Sequence, residues 1–185
     1  MLNESLENEQ RRRFLVASAC TLGGVGALCA LTPFVSSWMP SAATLEAGKP
    51  VQVDLSVLEP GQQMTVEWRG KPVWIIRRTP DMLRALNTQV AGLRDPDSRV
   101  DQQPAYAQNA YRSIKPEYLV LVGVCTHLGC TPKYKPDGFY CPCHASRFDL
   151  SGRVFKSMPA PINLQVPPHR YLSDHVIVIG EERHE

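Results

Sequence analysis

The alternation of apolar and polar positions divides the chain into an anchor, a spacer and a folded region. Residues 1–13 are polar and close on Arg11-Arg12-Arg13, after which Phe14 to Met39 run for 26 residues without a charged side chain. About 20 apolar residues in a helix cross a ~30 Å hydrocarbon core. Residues 14–39 therefore predict one transmembrane helix, longer than the roughly 7–15 apolar residues of a cleaved signal. Ser41-Ala42-Ala43 resembles a small-residue cleavage site, so cleavage is the alternative. Pro40–Pro50 (PSAATLEAGKP) is small, polar and without periodicity, which predicts a hinge linker. From Val51 the pattern becomes that of strands. VQVDL and MTVEW alternate at period two, and Arg69-Gly70-Lys71 separates MTVEW from PVWIIR as in a hairpin. Residues 80–93 place Met82, Leu83, Leu86, Val90 and Leu93 at helical spacing behind Pro80. Asp95–Ser98 reads as a loop. Tyr118–Val124 and His175–Ile179 read as strands, Arg153–Phe155 and Leu164–Val166 as weaker ones. Trp68 and Trp74 are expected in the core, and Glu181–Glu185 as a solvated tail.

The charged residues orient this layout. Three arginines precede the span and the first lysine after it is Lys49, which places the N-terminus in the cytoplasm and the rest outside. Arg11-Arg12-Arg13-Phe14-Leu15 resembles a twin-arginine export signal, an address for folded proteins that often carry a cofactor. Ala19, Gly23 and Ala27 form a stripe of small residues that would let another membrane helix approach. Across the whole chain 20 Lys and Arg balance 18 Asp and Glu, a net +2 that argues against a nucleic-acid partner. With 43% apolar and 21% charged residues the chain is not disordered.

Cysteine placement points to chemistry. Cys20 and Cys29 lie in the apolar stretch and read as inert. Cys125, Cys130, Cys141 and Cys143 fall within 19 residues, in Cys125-Thr126-His127-Leu128-Gly129-Cys130 and Cys141-Pro142-Cys143-His144. Four thiols and two imidazoles are two ligands more than one tetrahedral zinc takes. A [2Fe–2S] centre of the type held by two Cys and two His is the competing reading, and it leaves two cysteines over for another use.

CTHLGC followed by CPCH resembles the Rieske iron–sulfur subunits of bacterial cytochrome bc complexes, the ubiquinol–cytochrome c reductases. The likeness extends to the twin-arginine anchor, the linker and Pro159-Ala160-Pro161, which looks like the family's proline loop. It implies a mainly β protein: residues 1–13 as cytoplasmic signal, 14–39 as transmembrane helix, 40–50 as hinge, and 51–185 as a periplasmic Rieske domain. That domain would be an antiparallel β-sandwich with an inserted helix and a cluster-binding part at about 118–162. The implied cofactor is one [2Fe–2S] cluster, with Cys125 and Cys141 on one iron and His127 and His144 on the other. By the same resemblance Cys130 and Cys143 form a disulfide, Leu128 shields the cluster, and Ser146 donates to a cluster sulfur. His144, with His127, faces the quinol and takes its proton. Ubiquinol, cytochrome b and a c-type cytochrome are the implied partners in a dimeric complex of the bacterial inner membrane. Two positions depart from the commonest family pattern: Ala145 stands where Gly is usual and Phe148 where Tyr is usual. Without a Tyr hydroxyl to bond a ligand sulfur, a lower potential is expected. The Rieske subunit of another exported enzyme, such as arsenite oxidase, is the alternative. A Rieske ferredoxin is disfavoured by the anchor and the extra cysteine pair, and a zinc-stapled binding domain differs in its metal.

Overall fold

The computed structural model describes residues 2–181, with side chains from Asn8 onward. It comprises two compact units, one ending at Leu45 and the other beginning at Glu46. The expected tail at Glu181–Glu185 lies outside the described residues from position 182 on.

The first unit is built on α1 (Leu2–Ser36). The helix starts well before the apolar stretch, so Arg11–Arg13 ride on it. Asn8–Ser36, 29 residues, is long and apolar enough to cross a membrane. The helix stops three residues short of the expected Met39. At its end Ser36 Oγ donates to the Pro33 carbonyl at 3.0 Å and Ser37 Oγ to the Phe34 carbonyl at 2.7 Å, satisfying carbonyls of the last turn. Pro33 lies inside the helix and has no N–H to donate. The spacer differs from expectation, because it contains a short helix, α2 (Ala42–Ala47). Ser41 caps it, its Oγ accepting from the Thr44 N–H at 3.2 Å. Six residues are too few to display a period, which is why the pattern gave no sign of it.

The second unit is an antiparallel β structure. Its elements are β1 (Val51–Asp54), β2 (Gln63–Trp68), β3 (Lys71–Arg77), α3 (Pro80–Thr88), β4 (Tyr118–Val122), β5 (Lys133–Lys135), β6 (Gly138–Tyr140), β7 (Arg147–Phe148), β8 (His169–Ser173) and β9 (Val176–Ile179). They pair as three sheets of three strands, ordered β1-β9-β8, β2-β3-β4 and β5-β6-β7. The β2–β3 turn is the two residues Arg69 and Gly70, both at positive φ (52° and 68°), the conformation that matches the twist of a two-residue hairpin.

Within the β2-β3-β4 sheet, β3 and β4 are buried on both faces. Val73, Ile75, Tyr118, Val120 and Val122 point one way and meet Val53, Ile177 and Ile179 of the β1-β9-β8 sheet, which forms the sandwich. Trp74, Ile76, Leu119 and Leu121 point the other way and meet Phe139, Phe148, Cys125 and Cys141. Trp74 stacks on Phe139 with ring centroids 5.4 Å apart, and Tyr134 leans on the same Phe139 ring at 5.7 Å. Gly123 follows β4 because a Cβ there would lie 2.4 Å from the Trp74 ring.

A buried charge network holds the segments between the sheets. Asp149, Arg153, Arg78 and Arg112 are each no more than 2% exposed. Asp149 Oδ1 accepts from the Ser151 and Arg153 N–H groups at 2.9 and 2.8 Å, and Arg153 Nε donates to its Oδ2 at 2.7 Å. Arg78 donates to the Tyr111 carbonyl, Ser113 Oγ and Ser151 Oγ at 2.8–2.9 Å. Burial pushes the Arg78 and Arg112 guanidiniums down to about 10, which leaves both charged at neutral pH.

Three expected elements are corrected. The helix expected over 80–93 ends at Thr88, and Val90–Gly92 is a 3₁₀ turn. Leu93 is buried, bridged to Phe155, rather than continuing the helix face. Arg153–Phe155 contributes only bridges, Phe148↔Val154 and Leu93↔Phe155. Leu164–Val166 is extended but not a strand. Its three backbone bonds go to Gly152, Val122 and Gln102, three different segments, so no ladder forms. Four strands were not foreseen: β5, β6 and β7 are two or three residues long, and β8 (HRYLS) is polar.

His169 on β8 gives the fold a pH dependence. It is 1% exposed, its Nδ1–H donates to the Pro167 carbonyl at 2.8 Å, and burial holds its pKa below the usual 6.5. The folded ring stays neutral while the unfolded ring takes a proton, so stability falls as pH drops below 6.5. Denaturant unfolding in detergent at about pH 7.5 and about pH 5.5 should show a larger loss for the native chain than for His169→Gln, by on the order of 1 kcal/mol.

Candidate metal centre

The site is built from loops that leave the faces of the second core. The first loop leaves β4 and turns back on itself. The Cys125 N–H donates to the Cys130 carbonyl at 2.7 Å and the Gly129 N–H to the Cys125 carbonyl at 3.0 Å. The second loop connects β6 to β7, closed by the Cys141 N–H on the Ser146 carbonyl at 2.8 Å. Cys141 directly follows β6, whose register is Phe139↔Phe148 and Tyr140↔Arg147 across to β7. Gly138 permits this hairpin: it sits at φ 139°, and a Cβ would lie 2.1 Å from the Phe148 carbonyl oxygen.

The expected cysteine pairing is present. Cys130 and Cys143 form a disulfide with Cα atoms 6.6 Å apart, joining the two loops. Cys125 and Cys141 remain free thiols, each 2% exposed. The Cys141 sulfur lies within 4.8 Å of both disulfide sulfurs. Those three sulfurs are not a ligand trio, because two of them are consumed in the covalent bond. The cysteines left for a metal are Cys125 and Cys141. Their thiols interact directly, and burial pushes the Cys125 thiol up, while the His127 backbone N–H and the Ser146 side chain favour its thiolate.

The imidazoles complete the donor set. The His127 and His144 rings have centroids 4.6 Å apart and planes at 90°. His127 Nδ1 is buried and has no hydrogen-bond partner, although buried polar atoms are normally paired. An unpartnered buried ring nitrogen, carried on the same two loops as two buried free thiols, is a donor set that fits a thiophilic metal centre with mixed nitrogen and sulfur ligands. Leu128 is 72% exposed at the turn between His127 and Gly129.

The surroundings join this apex to the proline loop. Ser146 is fully buried, and its Oγ accepts from the Ala160 N–H at 3.0 Å. Ala160 is thereby pinned inward between Pro159 and Pro161, both exposed. Thr126 Oγ1 donates to the Ile162 carbonyl at 2.7 Å, a tie from the first loop to the far end of the proline loop. Sequence reasoning missed Thr126, since a threonine between two ligand candidates has no pattern of its own. It also missed the Trp74–Phe139–Tyr134 stack beneath the site. Phe148 is 1% exposed and packs in the same cluster as both free cysteines. Ala145 adopts φ 59°, a left-handed conformation that costs a non-glycine residue about 1 kcal/mol.

Residues 1–41 match the ubiquinol–cytochrome c reductase Fe–S subunit TAT signal, and residues 99–168 match the Rieske [2Fe-2S] domain. The chain is 55% identical over 188 residues to the ubiquinol–cytochrome c reductase iron–sulfur subunit of Allochromatium vinosum, covering 95% of this chain and 91% of that one. It is 43% identical over 182 residues to the subunit of the same name from Bradyrhizobium diazoefficiens, covering 95% and 97%. A solved chain of a hyperthermophilic respiratory Complex III aligns at 29% identity and a TM-score of 0.48, covering 86% of this chain and 96% of that one. The chain belongs to the family of Rieske [2Fe–2S] proteins that are the iron–sulfur subunits of ubiquinol–cytochrome c reductase.

Proposed function

We propose that the chain is the electron-transferring subunit of a membrane quinol–cytochrome c oxidoreductase. It takes an electron from ubiquinol at cytochrome b and passes it to a c-type cytochrome, contributing to proton translocation. The observation that carries this reading is the set of two free thiols and two adjoining imidazoles at one apex, in a chain 55% identical to a reductase subunit. Cys125 and Cys141 would hold one iron, and His127, through its buried Nδ1, and His144 the other. When bound, a cluster with two imidazole ligands supplies a one-electron acceptor in the roughly −150 to +300 mV range.

The chain's own groups supply the rest. The His144 ring is exposed, so its outer nitrogen can accept a hydrogen bond from a quinol hydroxyl and then its proton. His127 is half-buried and plays the second part in the same pair. Leu128 offers an apolar contact to the quinone-site surface and keeps water from the rings. Ser146 and the His127 N–H act on the Cys125 sulfur and favour its anionic form, the form that binds iron. The disulfide ties the two loops together, and Pro159–Pro161 would form the loop that covers the cluster.

The first unit sets the place of this chemistry. The apolar helix and the twin-arginine signal fit a single-pass anchor in a bacterial cytoplasmic membrane, with the N-terminus inside and the folded domain in the periplasm. Residues 40–50 are the hinge that lets the domain move between cytochrome b and the c-type cytochrome of a dimeric complex.

Three measurements test this reading. Membranes containing the chain should yield iron and acid-labile sulfide, and after ascorbate reduction a rhombic EPR signal that shifts with quinone-site inhibitors. Zinc in place of iron would overturn the assignment. Phe148→Tyr places a hydroxyl in the packed cluster around both free cysteines. A bond from it to a ligand sulfur should raise the midpoint by tens of millivolts, about 1 kcal/mol. An unchanged or lower midpoint speaks against this source of tuning. Ala42→Pro with Ala43→Pro falls in the first turn of α2, where no backbone N–H is needed, so it stiffens the hinge without breaking the helix. Turnover should drop several-fold with the EPR spectrum unchanged, whereas normal turnover would count against a moving domain.

A further inference from the structure

The basic residues of the chain are not spread evenly. Residues 125–161 hold five Lys and Arg against two Asp and Glu, while the rest of the chain holds fifteen against sixteen. Asp149 and Arg153 neutralise each other inside the protein. The exposed charges of this segment are therefore Lys133, Lys135, Arg147 and Lys156 against Asp137 alone.

Strand register gathers three of these cations on one face. On β5, Tyr134 turns toward the core and Lys133 and Lys135 turn out. On β6 and β7, Phe139 and Phe148 turn in, and Tyr140 and Arg147 turn out. Lys133 pairs with Tyr140 and Tyr140 with Arg147, so Lys–Tyr–Arg form a row across the sheet with Lys135 beside it. Lys133 and Lys135, about 7 Å apart at strand spacing, repel each other. Among the described residues neither has an acidic partner. Arg147 meets Asp137 at 3.0 Å, an exposed pair that offsets only part of the charge. The face is continuous with the metal centre, since Tyr140 adjoins Cys141 and the loop of Cys130 feeds β5.

We propose that the outer face of the β5-β6-β7 sheet is an electrostatic docking surface for a carboxylate-rich face of the haem protein that accepts the electron. This rests on the function proposed above. An apolar turn at Leu128 suits a quinone-site pocket, while a basic row with an exposed aromatic suits an acidic protein surface, where charge sets orientation and encounter. Lysines on β5 also blunt an edge strand against aggregation. That role alone predicts no contact in the assembled complex, and it does not involve Tyr140, which lies on the central strand.

The assembled complex and the full chain isolated in detergent are acetylated side by side with a lysine-reactive ester. Lys133 and Lys135 should be labelled several-fold more slowly in the complex, with protection declining at high salt. In the complex carrying Lys133→Glu and Lys135→Glu, single-turnover oxidation by the c-type haem should slow about tenfold. Quinol-driven reduction and the midpoint potential should not change. Lys133→Gln with Lys135→Gln should fall between. Equal labelling in both preparations overturns the proposal, as does slowing of the quinol half-reaction instead. An effect that appears only in vesicles with anionic lipid, and not in phosphatidylcholine alone, would assign the face to lipid headgroups and overturn it too. If the native complex is not reduced by quinol at all, the functional reading itself fails, which is distinct from failure of the docking surface.

Discussion

The structure depends on β3 and β4 being apolar on both faces. KPVWIIR and YLVLV would be conspicuous liabilities as surface strands, and each side needs a separate cover. One side is covered by β1 and β9, which bring the two ends of the folded domain together in one sheet. The other side is covered by the segment that carries the cysteines. Trp74 is the join, stacking on Phe139 while Gly123 gives way to its ring. The metal centre is thus not an appendage. Its inner residues are half of a hydrophobic core, and Cys125 and Cys141 are as buried as the valines around them.

The second constraint is the group of buried arginines. Three guanidiniums and one carboxylate out of water are costly unless each donor finds an acceptor. Here the acceptors are mostly backbone carbonyls and serine hydroxyls of the 111–116 and 149–153 segments, so these bonds fix irregular chain that no ladder holds, with Arg112 Nε, among the described residues, the one guanidinium donor of the network left buried without a partner. Asp149 follows Phe148, and the turn it organises leads directly to the proline loop. The rigidity of the irregular half of the domain comes from this polar network, and the shape of the apex comes with it.

Ala145 and Phe148 are held by the same frame. Ala145 stays in a left-handed conformation because its neighbours Cys141 and Ser146 are fixed by a backbone bond and by the Ala160 tie. The surroundings absorb a strain of about 1 kcal/mol. Phe148 is fully buried in the same cluster as Cys125 and Cys141 and brings no hydroxyl to it.

The sequence alone determined the anchor, the main strands, the hairpin at Arg69-Gly70 and the two cysteine–histidine loops. Each of these is written locally, as a period, a turn dipeptide or a ligand spacing. The linker helix, the end of α3 at Thr88 and strands β5–β8 were not legible, because segments of two to six residues show no period and are stabilised by partners elsewhere. Resemblance to a known family named the Cys130–Cys143 bridge; spacing by itself did not. Only tertiary structure decided that Arg78, Arg112 and Arg153 are interior, that Thr126 ties two loops, and that Lys133, Tyr140 and Arg147 share a face. Burial and register are properties of pairs of residues far apart in the chain, and a linear pattern carries no information on which distant segment will supply the partner.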